Sequence, residues 1–528
     1  MGLSSLLLLP AGVIAYLIVT TVYNLYFHPL AKIPGPKISA ATHLCEFYYD
    51  VICGGVYLFK IEEMHRKYGH IVRITPSEVH VSDPRFYDEI HASSLRKRDK
   101  DPRYVAKYGL PESIVATVTH EKHRFRRNLL NDFFSKRAVL GLSGLVAERV
   151  QKLISRFEEA QNSQTVISLD DAFSALASDV ITSYCYGKHW GFLEAENFGN
   201  DIRKGIEHLS IVSHYTRFFP WLVKITRLVS PGTMARLIPA NEGVFNFQQS
   251  ILDYSTAIAQ QQRSSGLEKQ ARQGGKEKDN LILRLTDPKL PLEERSGARL
   301  QDELFVILGA GTETTARVLT VAAYYLARDP IVLNTLRTEL KQVLPTPTST
   351  ASWAELEKLP YMNGVVNESL RFAHGVVGRL ARVARDESLT YKDHVIPAGT
   401  PMSASAYIIH RDPSIFPNPE RFDPDRWIKA AERGEKLTQY IVAFSKGSRG
   451  CVGINLAYME LFMVISQFAR RFDVHLHDTG PEDIRIVEGP ALALDAVRSS
   501  SYIGAEAERR EELDSAPRRR DRIYVNER

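Results

Sequence analysis

The chain has 528 residues, of which 44% are hydrophobic and 24% are charged. This composition is typical of a globular protein and excludes a disordered one. The length exceeds the roughly 250–300 residues that one core usually supports, which favours several domains or one large helical domain. The formal net charge of +5 is small for this length, and no basic stripe alternates with aromatic residues, so nucleic-acid binding is not indicated.

The first 27 residues contain no Lys, Arg, Asp or Glu. At about 1.5 Å per residue, this apolar stretch is long enough to cross a bilayer as one helix. A cleaved signal peptide would have a basic start and an apolar run of only roughly 7–15 residues. We therefore predict one membrane anchor, with a buried core helix as the alternative. Lys32 and Lys37 follow it, which places the rest of the chain in the cytosol by the positive-inside rule.

The remainder of the chain is predicted to be mainly α-helical with small β-sheets. Helical periodicity dominates from Glu121 to Ala327, and alternating apolar and polar residues predict short strands over 70–83 and 389–406. We divide the chain into an anchor, a stiff proline-rich linker, one large domain and a charged tail, with the bounds 1–27, 28–37, 38–498 and 499–528.

Three segments outside this pattern have their own interpretations. Ile211 to Val229 is rich in aromatic and aliphatic residues, which favours core packing, with a shallow membrane contact as the alternative. The polar stretch 263–280 is predicted to be a mobile loop. In the tail, Arg alternates with Glu and Asp, which is typical of a solvated helix or a disordered segment.

Cys451 lies in an unusual stretch, FSKGSRGCVG, which runs from Phe444 to Gly453. Its three glycines allow an open loop whose backbone N–H groups point at the sulfur. The dipole of the helix predicted after it would stabilise a thiolate. A single thiolate without other Cys or His ligands cannot build a zinc or iron–sulfur site, but it can serve as the axial ligand of a haem. The alternative is a packed, inert thiol.

A second motif, AGTETT, runs from Ala310 to Thr315 within a long apolar helix pattern. A glycine inside a helix costs roughly 0.5–1 kcal/mol relative to alanine, so Gly311 requires a reason. One interpretation is a local opening of the helix where O₂ and water sit, with Thr314 donating a hydrogen bond and Glu313 relaying protons. The other is a close helix–helix contact.

Two further motifs concern buried charge. ESLR places Glu368 and Arg371 one helical turn apart in an apolar helix, so the pair can be buried if further hydrogen bonds support it. NPERFDPDRW, from Asn418 to Trp427, supplies Arg421 as a third member of this network.

Together, these motifs strongly resemble those of the cytochrome P-450 family of haem-thiolate monooxygenases. The sequence contains A-G-x-E-T-T, E-x-x-R, P-E-R-F and F-x-x-G-x-R-x-C-x-G in that order. The resemblance extends from the anchor to about Ala491. The stretches NLYFHPLAKIPGP and KRDKDPRY are similar to those of filamentous-fungal members that modify secondary metabolites, including the trichodiene-oxygenase-like group.

The resemblance implies a role for each matched residue. Cys451 would be the axial thiolate of haem b, Thr314 would assist dioxygen activation, and Glu313 would be its acidic neighbour. Glu368, Arg371 and Arg421 would form a structural triad. His123 stands where the family often has Trp, but still donates a hydrogen bond. The remaining haem contacts would be His123, Arg127, Ala310, Gly311, Arg382, Phe444, Arg449 and Gly453.

The resemblance also implies partners. No flavin or nicotinamide glycine fingerprint follows the matched region, so electrons would come from a separate NADPH-cytochrome P-450 reductase, with cytochrome b5 as a second candidate donor. Lys122, Arg124, Arg126 and Lys446 are candidates for the docking face, or else ordinary solvated charges. The implied location is the endoplasmic reticulum membrane, with a single pass and the catalytic domain in the cytosol.

The substrate is predicted to be an apolar molecule, with a terpenoid or polyketide as our choice. The expected lining, over 304–310, 372–380 and 108–118, is mainly aliphatic. Two other functions remain open: a haem-thiolate isomerase or dehydratase, and a non-catalytic membrane-anchored helical binding protein. The former typically lacks the helix threonine, and the latter would not need the intact cysteine, arginine and threonine positions.

Overall fold

A computed structural model describes residues 3–264, 281–484 and 522–526 of the chain. Helices dominate it, as the periodicity predicts. The α-helices α1 to α12 are Leu3–Val22, Lys37–Ala41, Leu44–Phe47, Tyr57–Tyr68, Tyr87–Ile90, Pro102–Val105, His120–Asn131, Lys136–Leu140, Ser143–Asn162, Leu169–Tyr186, Asn200–Phe218 and Trp221–Thr226. Helices α13 to α23 are Pro231–Leu237, Glu242–Ser264, Leu281–Leu285, Gly297–Arg328, Pro330–Leu340, Trp353–Leu356, Pro360–Ala373, Ala406–Ile409, Asp425–Glu432, Ile454–Arg471 and Pro481–Ile484.

The strands are short and form three small sheets. Strands β1 to β10 are Ile71–Arg73, Val79–Val81, Asp99–Lys100, Ile167–Ser168, Arg382–Val383, Leu389–Tyr391, His394–Ile396, Pro401–Ser403, Asp473–His477 and Arg522–Asn526. The largest sheet has the order β1-β2-β8-β5-β3, a second has β4-β10-β9, and β6 pairs with β7. The predicted hairpin over 70–83 is confirmed as the antiparallel pair β1–β2.

The central element of the core is α16, which has 32 residues. It packs against α10, α14, α19 and α22. Its apolar side chains point all round, as expected of a helix enclosed by other helices. It is long and apolar enough to cross a membrane, but it is mostly buried within the protein. This central helix therefore holds AGTETT inside the domain.

The N-terminal helix has the opposite surroundings. The apolar window Pro10–Phe27 is long enough to cross a membrane and is not buried by the rest of the protein. Val13, Ile14 and Leu17 are all more than half exposed. Since a soluble surface rarely presents a contiguous apolar face of this size, the helix is consistent with membrane anchoring. Its C-terminal end contacts the domain, because the Asn24 amide donates to the Ala41 carbonyl (3.0 Å).

Core packing of Ile211 to Val229 was the favoured interpretation, and it is wrong for most of this segment. The helix α12 has no buried residue, and Trp221 and Leu228 are 55% and 84% exposed. The apolar character of these side chains alone could not distinguish a core from an exposed apolar face.

The tail prediction is wrong for residues 522–526, which form β10 between β4 and β9. Ile523 and Tyr524 have high β-propensity, a local signal that the charges around them obscured. The rest of the tail, like 265–280 of the predicted polar loop, lies outside the described residues.

Candidate active site

The AGTETT motif lies on α16, which is α-helical without interruption from Gly297 to Arg328. The predicted opening of the helix is therefore wrong. The Thr314 hydroxyl instead donates to the Ala310 carbonyl four residues earlier (2.8 Å). Ala310 is exposed on this otherwise enclosed helix, and Thr314 is half-buried. Both residues therefore keep accessible surface on a helix that is mostly buried within the protein.

The close-contact interpretation of Gly311 is supported by its surroundings. A Cβ atom on Gly311 would lie 3.1 Å from Cγ1 of Ile181 on α10. On the same side, the hydroxyls of Thr312 and Ser178 are hydrogen-bonded (2.9 Å). Gly311 therefore lets α10 approach α16, and this fixes the orientation of the helix face that carries Ala310 and Thr314.

Glu313 has a partner that the sequence did not reveal. Its carboxylate lies 3.5 Å from the Arg203 side chain of α11. Arg203 is buried and also pairs with Asp170 and Asp171 at the start of α10. Glu313, the residue before Thr314, therefore forms an ion pair with α11, a helix that is distant in sequence.

The loop that carries Cys451 is held by backbone contacts. The Cys451 N–H donates to the Phe444 carbonyl (2.8 Å), and the Phe444 ring packs on Tyr458 of α22 at 5.2 Å. Gly447 has φ +71°, and a Cβ there would overlap the backbone oxygens of His91 and Ala92. Only glycine fits this position without strain.

The Cys451 thiol lies deep in the protein yet remains accessible. Burial raises the pKa of this thiol, while the Gly453 N–H and the charge of Arg127 lower it. The residue is nevertheless exposed, which indicates that it borders a space within the protein. The Arg127 guanidinium also donates to the carbonyls of Gly450 (2.5 Å) and Cys451 (3.3 Å). This combination leaves the sulfur free to bind a group within the protein.

A cluster of positive charges lies beside this loop. The pKa of His123 is lowered to about 2, mainly by burial and next by the charge of Arg449. The pKa of Arg449 is lowered to about 9, mainly by burial and next by the charge of Arg382. Lys100 on β3 and Arg382 on β5 stand directly opposite each other in an antiparallel pair. Like charges in such a pair destabilise a sheet unless an anion neutralises them.

These residues fit haem b. The group requires one axial ligand and two carboxylate partners, and the structure offers the accessible Cys451 sulfur and a buried excess of positive charge. Three of the four predicted propionate ligands, His123, Arg382 and Arg449, are buried within this cluster. Arg449 already donates to the carbonyls of Arg98, Thr117 and Val118. Its guanidinium is thereby oriented before any ligand binds.

The E-x-x-R pair is buried and fully hydrogen-bonded. Arg371 binds Glu368 through two parallel hydrogen bonds of 2.9 and 2.7 Å. The prediction of Arg421 as the third member is wrong, because its side chain is exposed and only its carbonyl accepts from Arg371 (3.2 Å). The third member is Arg426, whose Nε donates to Glu368 (3.0 Å). The stretch NPERFDPDRW contains two P-x-R-[FW] sequences, and the second supplies the arginine.

The structure also bears on the predicted docking face and on the predicted lining of the substrate pocket. Arg126 is buried and pairs with Glu294 (2.9 Å), so it does not belong to a docking face, whereas Lys122 and Arg124 are exposed. Phe372, expected in the substrate pocket, lines a cavity of about 570 Å³ together with His374 and Tyr325.

Comparison with known proteins identifies the family. The cytochrome P450 family model matches residues 50–496. The chain is 44% identical to cytochrome P450 monooxygenase TRI4 of Trichoderma arundinaceum over 462 residues, which cover 88% of each chain. It is 43% identical to conidiogenone synthase PchP450 of Penicillium rubens over 481 residues, 91% of this chain and 94% of that protein. It is also 42% identical to cytochrome P450 monooxygenase aflU of Aspergillus parasiticus, over 90% of this chain and 93% of that protein.

The chain belongs to the cytochrome P450 family. It is a P450 monooxygenase, and the P450 family uses haem b with an axial cysteine thiolate. The predicted fold class, family and enzyme class are therefore confirmed. Sequence reasoning missed Arg203, Lys100 and Arg426 as contributors to the site. Arg203 lies in no motif, and the stretch KRDKDPRY, which contains Lys100, indicates no role for that residue, so only the spatial arrangement reveals them.

We predict that Arg426→Ala sharply reduces haem incorporation. Glu368 keeps its pair with Arg371, but the substitution deletes the hydrogen bonds that Arg426 donates to Glu368 and to the carbonyls of Pro417 and Arg421, at a cost of about 1–3 kcal/mol for each buried group left unsatisfied. The measurement is the 450 nm absorbance of the reduced, CO-bound protein per mole of polypeptide. Arg421→Ala is the control and should retain wild-type incorporation, since its contribution is a backbone carbonyl. Equal losses in the two variants would contradict the assignment.

We also predict that Glu460→Gln stabilises the protein at alkaline pH. Glu460 is buried on α22, and its Oε2 has no hydrogen-bond partner among the described residues. Burial raises its pKa well above the usual value, so the folded state retains a proton that the unfolded state loses. Stability therefore falls as the pH rises above about 4.5, and glutamine removes this dependence. The apparent Tm of the variant should exceed that of the wild type at pH 8 and approach it near pH 4.5; a constant difference would contradict this explanation.

Proposed function

We propose that this P450 oxygenates an apolar terpenoid or polyketide at a haem b whose axial ligand is Cys451. The observation that carries the proposal is an accessible cysteine sulfur inside the protein, beside a buried excess of positive charge. A packed, inert thiol would be inaccessible, as Cys185 is.

Bound haem supplies the activation of O₂ with two electrons, and the surrounding residues position it and its substrate. His123, Arg127, Arg382 and Arg449 would bind the propionates, and Phe444 and Gly453 would shape the loop around the sulfur. Thr314 and Glu313 would hold and move protons on the accessible face of α16. The Thr314 hydroxyl can donate either to the Ala310 carbonyl, as in this structure, or to a molecule in the internal space.

Two observations support an apolar substrate: the residues expected to line the pocket and the names of similar proteins. Ala310 and Gly311 leave room beside the predicted haem, and half-buried Val306 and Val376 lie on two of the segments expected to line the pocket. One fungal relative is named conidiogenone synthase PchP450, and TRI4 and aflU are named as cytochrome P450 monooxygenases. A role in fungal secondary metabolism follows from this similarity. The isomerase or dehydratase alternative is not favoured, since Thr314 is present at the accessible face.

Electrons would come from NADPH-cytochrome P-450 reductase, with cytochrome b5 as a second candidate donor. Lys122 and Arg124 project from α7, the helix that also carries His123 and Arg127. A docking face at this point would bring the donor close to the haem propionates. Lys446 contributes less, since it already pairs with Asp88 (2.8 Å).

The location would be the endoplasmic reticulum membrane, with α1 as a single-pass anchor and the domain in the cytosol. Trp221, Ile225 and Leu228 form an exposed apolar face. Phe219 joins this face to Phe47, which lies in the segment after the anchor (ring distance 6.1 Å). Apolar side chains of this kind lie favourably at a bilayer interface, so this face would rest on the same membrane that α1 crosses.

Cys451→Ser is predicted to abolish the red-shifted Soret band near 450 nm in the reduced, CO-bound protein, because a hydroxyl cannot replace the thiolate ligand. Cys53→Ser is the matched control and should retain the band. If Cys451→Ser keeps the band in well-folded protein, the axial ligand lies elsewhere and the proposed site is wrong.

Thr314→Ala is predicted to uncouple NADPH consumption from product formation, since the alanine has no hydroxyl to donate a proton. General acid–base groups typically contribute 10²–10⁴-fold to a step, so product per NADPH should fall at least about threefold. The measurement compares the amounts of NADPH oxidised, hydrogen peroxide released and product formed.

Thr338→Ala is a suitable control for this experiment. The Thr338 hydroxyl makes the same i−4 bond at 2.8 Å, to Asn334 on the exposed surface of α17. Its coupling should be unchanged. Unchanged coupling in Thr314→Ala would exclude the proton role of Thr314.

A further inference from the structure

The loop over residues 109–119, which leads into α7, is attached to α16 by two adjacent carboxylates. Asp302 accepts a hydrogen bond from the Glu112 N–H (2.9 Å). Glu303 accepts one from the Ile114 N–H (2.8 Å). Both carboxylates are almost fully buried. Two alternate amides of an irregular segment are therefore fixed to the helix that carries AGTETT.

The Glu303 carboxylate depends on this loop in turn. Its other partner among the described residues is Arg299, one turn earlier on α16. The second carboxylate oxygen, Oε1, has no hydrogen-bond partner among those residues. Since a buried charge is costly unless it is paired and hydrogen-bonded, the Ile114 N–H and the Glu303 carboxylate stabilise each other.

The far end of the same loop is attached beside the cysteine. The carbonyls of Thr117 and Val118 accept from the Arg449 guanidinium (2.7 and 2.5 Å), and Arg449 is two residues before Cys451. At its other attachment, Glu303 lies seven residues before the AGTETT motif, which is about 10 Å along the helix. The loop therefore spans the distance between the accessible face of α16 and the loop around the sulfur.

Ile114 is the apolar side chain that these bonds place. It is half-buried and packs against the main apolar core, to which Leu304 and Ile307 of α16 belong. Ser113 and Ala116, on either side of it, are buried. Ile114 therefore keeps accessible apolar surface in the part of the loop that is bonded to α16.

We propose that Asp302 and Glu303 are positioning residues for substrate recognition. By fixing the 109–119 loop, they set the position of Ile114 and thereby the size of the apolar molecule that fits beside the haem. The inference rests on the proposed function, since it requires haem at Cys451 and a substrate against this loop. It assigns a part in selectivity to two carboxylates that are themselves covered by protein.

The test compares Asp302→Ala with Asp302→Asn in the full-length, haem-loaded protein. Both variants lose the charge that pairs with Arg227, but asparagine keeps an oxygen that can accept from the Glu112 N–H. The Kd values of two azoles are measured from the Soret shift that each causes. Imidazole occupies little more than the iron site, whereas clotrimazole adds three bulky aromatic rings.

In Asp302→Ala, the Kd of clotrimazole should rise at least about fivefold, because a wall that is no longer preorganised binds a bulky ligand less well, and that of imidazole less than about twofold. Asp302→Asn should bind both azoles within about twofold of wild type. A wild-type ratio of the two Kd values in Asp302→Ala would overturn the proposal. Equal changes in the two variants would also overturn it, because they would assign the effect to the Arg227 pair.

A double-mutant cycle tests whether the effect passes through Ile114. Ile114→Ala alone should also raise the Kd of clotrimazole, since it removes the apolar contact. Adding Asp302→Ala to it should raise this Kd by less than about a further twofold, because the side chain to be positioned is already absent. Fold-changes that multiply would overturn the action through Ile114.

Glu303→Ala and Glu303→Gln provide a second pair in case Asp302→Ala does not incorporate haem. Both lose the charge that pairs with Arg299, but glutamine keeps an acceptor for the Ile114 N–H. The same contrast in azole selectivity is expected. Unchanged selectivity in every folded alanine variant of the two carboxylates would overturn the proposal.

Glu339→Ala is the matched control. Glu339 also accepts from two backbone amides, those of Tyr361 and Met362 (both 2.8 Å), but it lies on α17. Its ratio of the two Kd values should equal that of the wild type. The same loss of clotrimazole binding in Glu339→Ala would overturn the proposal, because it would show general loosening.

Hydrogen exchange separates failure of this inference from failure of the proposed function, because it does not depend on haem. The amides of residues 112–114 should exchange about tenfold faster in Asp302→Ala than in Asp302→Asn or Glu339→Ala. Equal protection in all three proteins would exclude the positioning role, even if the haem assignment holds. A wild-type protein that shows no Soret shift with either azole would contradict the proposed function instead.

Discussion

The carboxylate of Glu368 is the interaction on which the cysteine-bearing half of the structure depends. It is fully buried and accepts from Arg371, Arg426 and the Trp427 indole. A buried carboxylate is tolerated only when its oxygens are satisfied in this way. Arg371 in turn binds the His410 carbonyl (2.9 Å), and the His410 ring accepts from the Val442 N–H (2.9 Å). Val442 is two residues before Phe444, so the path from Glu368 leads directly to the loop around Cys451.

The positive charges beside the Cys451 loop affect the stability of the folded protein when haem is absent. Lys100, Arg382 and Arg449 are held close together in a low-dielectric interior, where like charges repel strongly. An anionic ligand that neutralises them stabilises the folded state by mass action. Cofactor binding and folding are therefore linked, and the positive cluster proposed to bind the propionates also disfavours the empty protein.

Much of the fold and of the site could be predicted from the sequence, where the signal was local. The loop around Cys451, the long helix with Thr314 and the hairpin at β1–β2 each follow from a short pattern. The sequence predicted Arg421 as the partner of Glu368. Arg426 lies in a similar short motif, and only the approach of α21 to α19 distinguishes the two arginines. Arg203 lies in no motif, and its partners are more than thirty residues away in the chain. The exposure of α12 and the pairing of β10 also depend on distant contacts.

The position of β10 has a consequence for how the protein is made. This strand lies between β4, at residues 167–168, and β9, at 473–477. The complete sheet cannot form until residue 526 has been synthesised, long after the N-terminal helix α1. Contacts between segments so distant in sequence form slowly, because the loop between them must first be closed. During synthesis, the edges of β4 and β9 that β10 later covers therefore stay unpaired, and in this interval the nascent chain is exposed to aggregation or to chaperone binding.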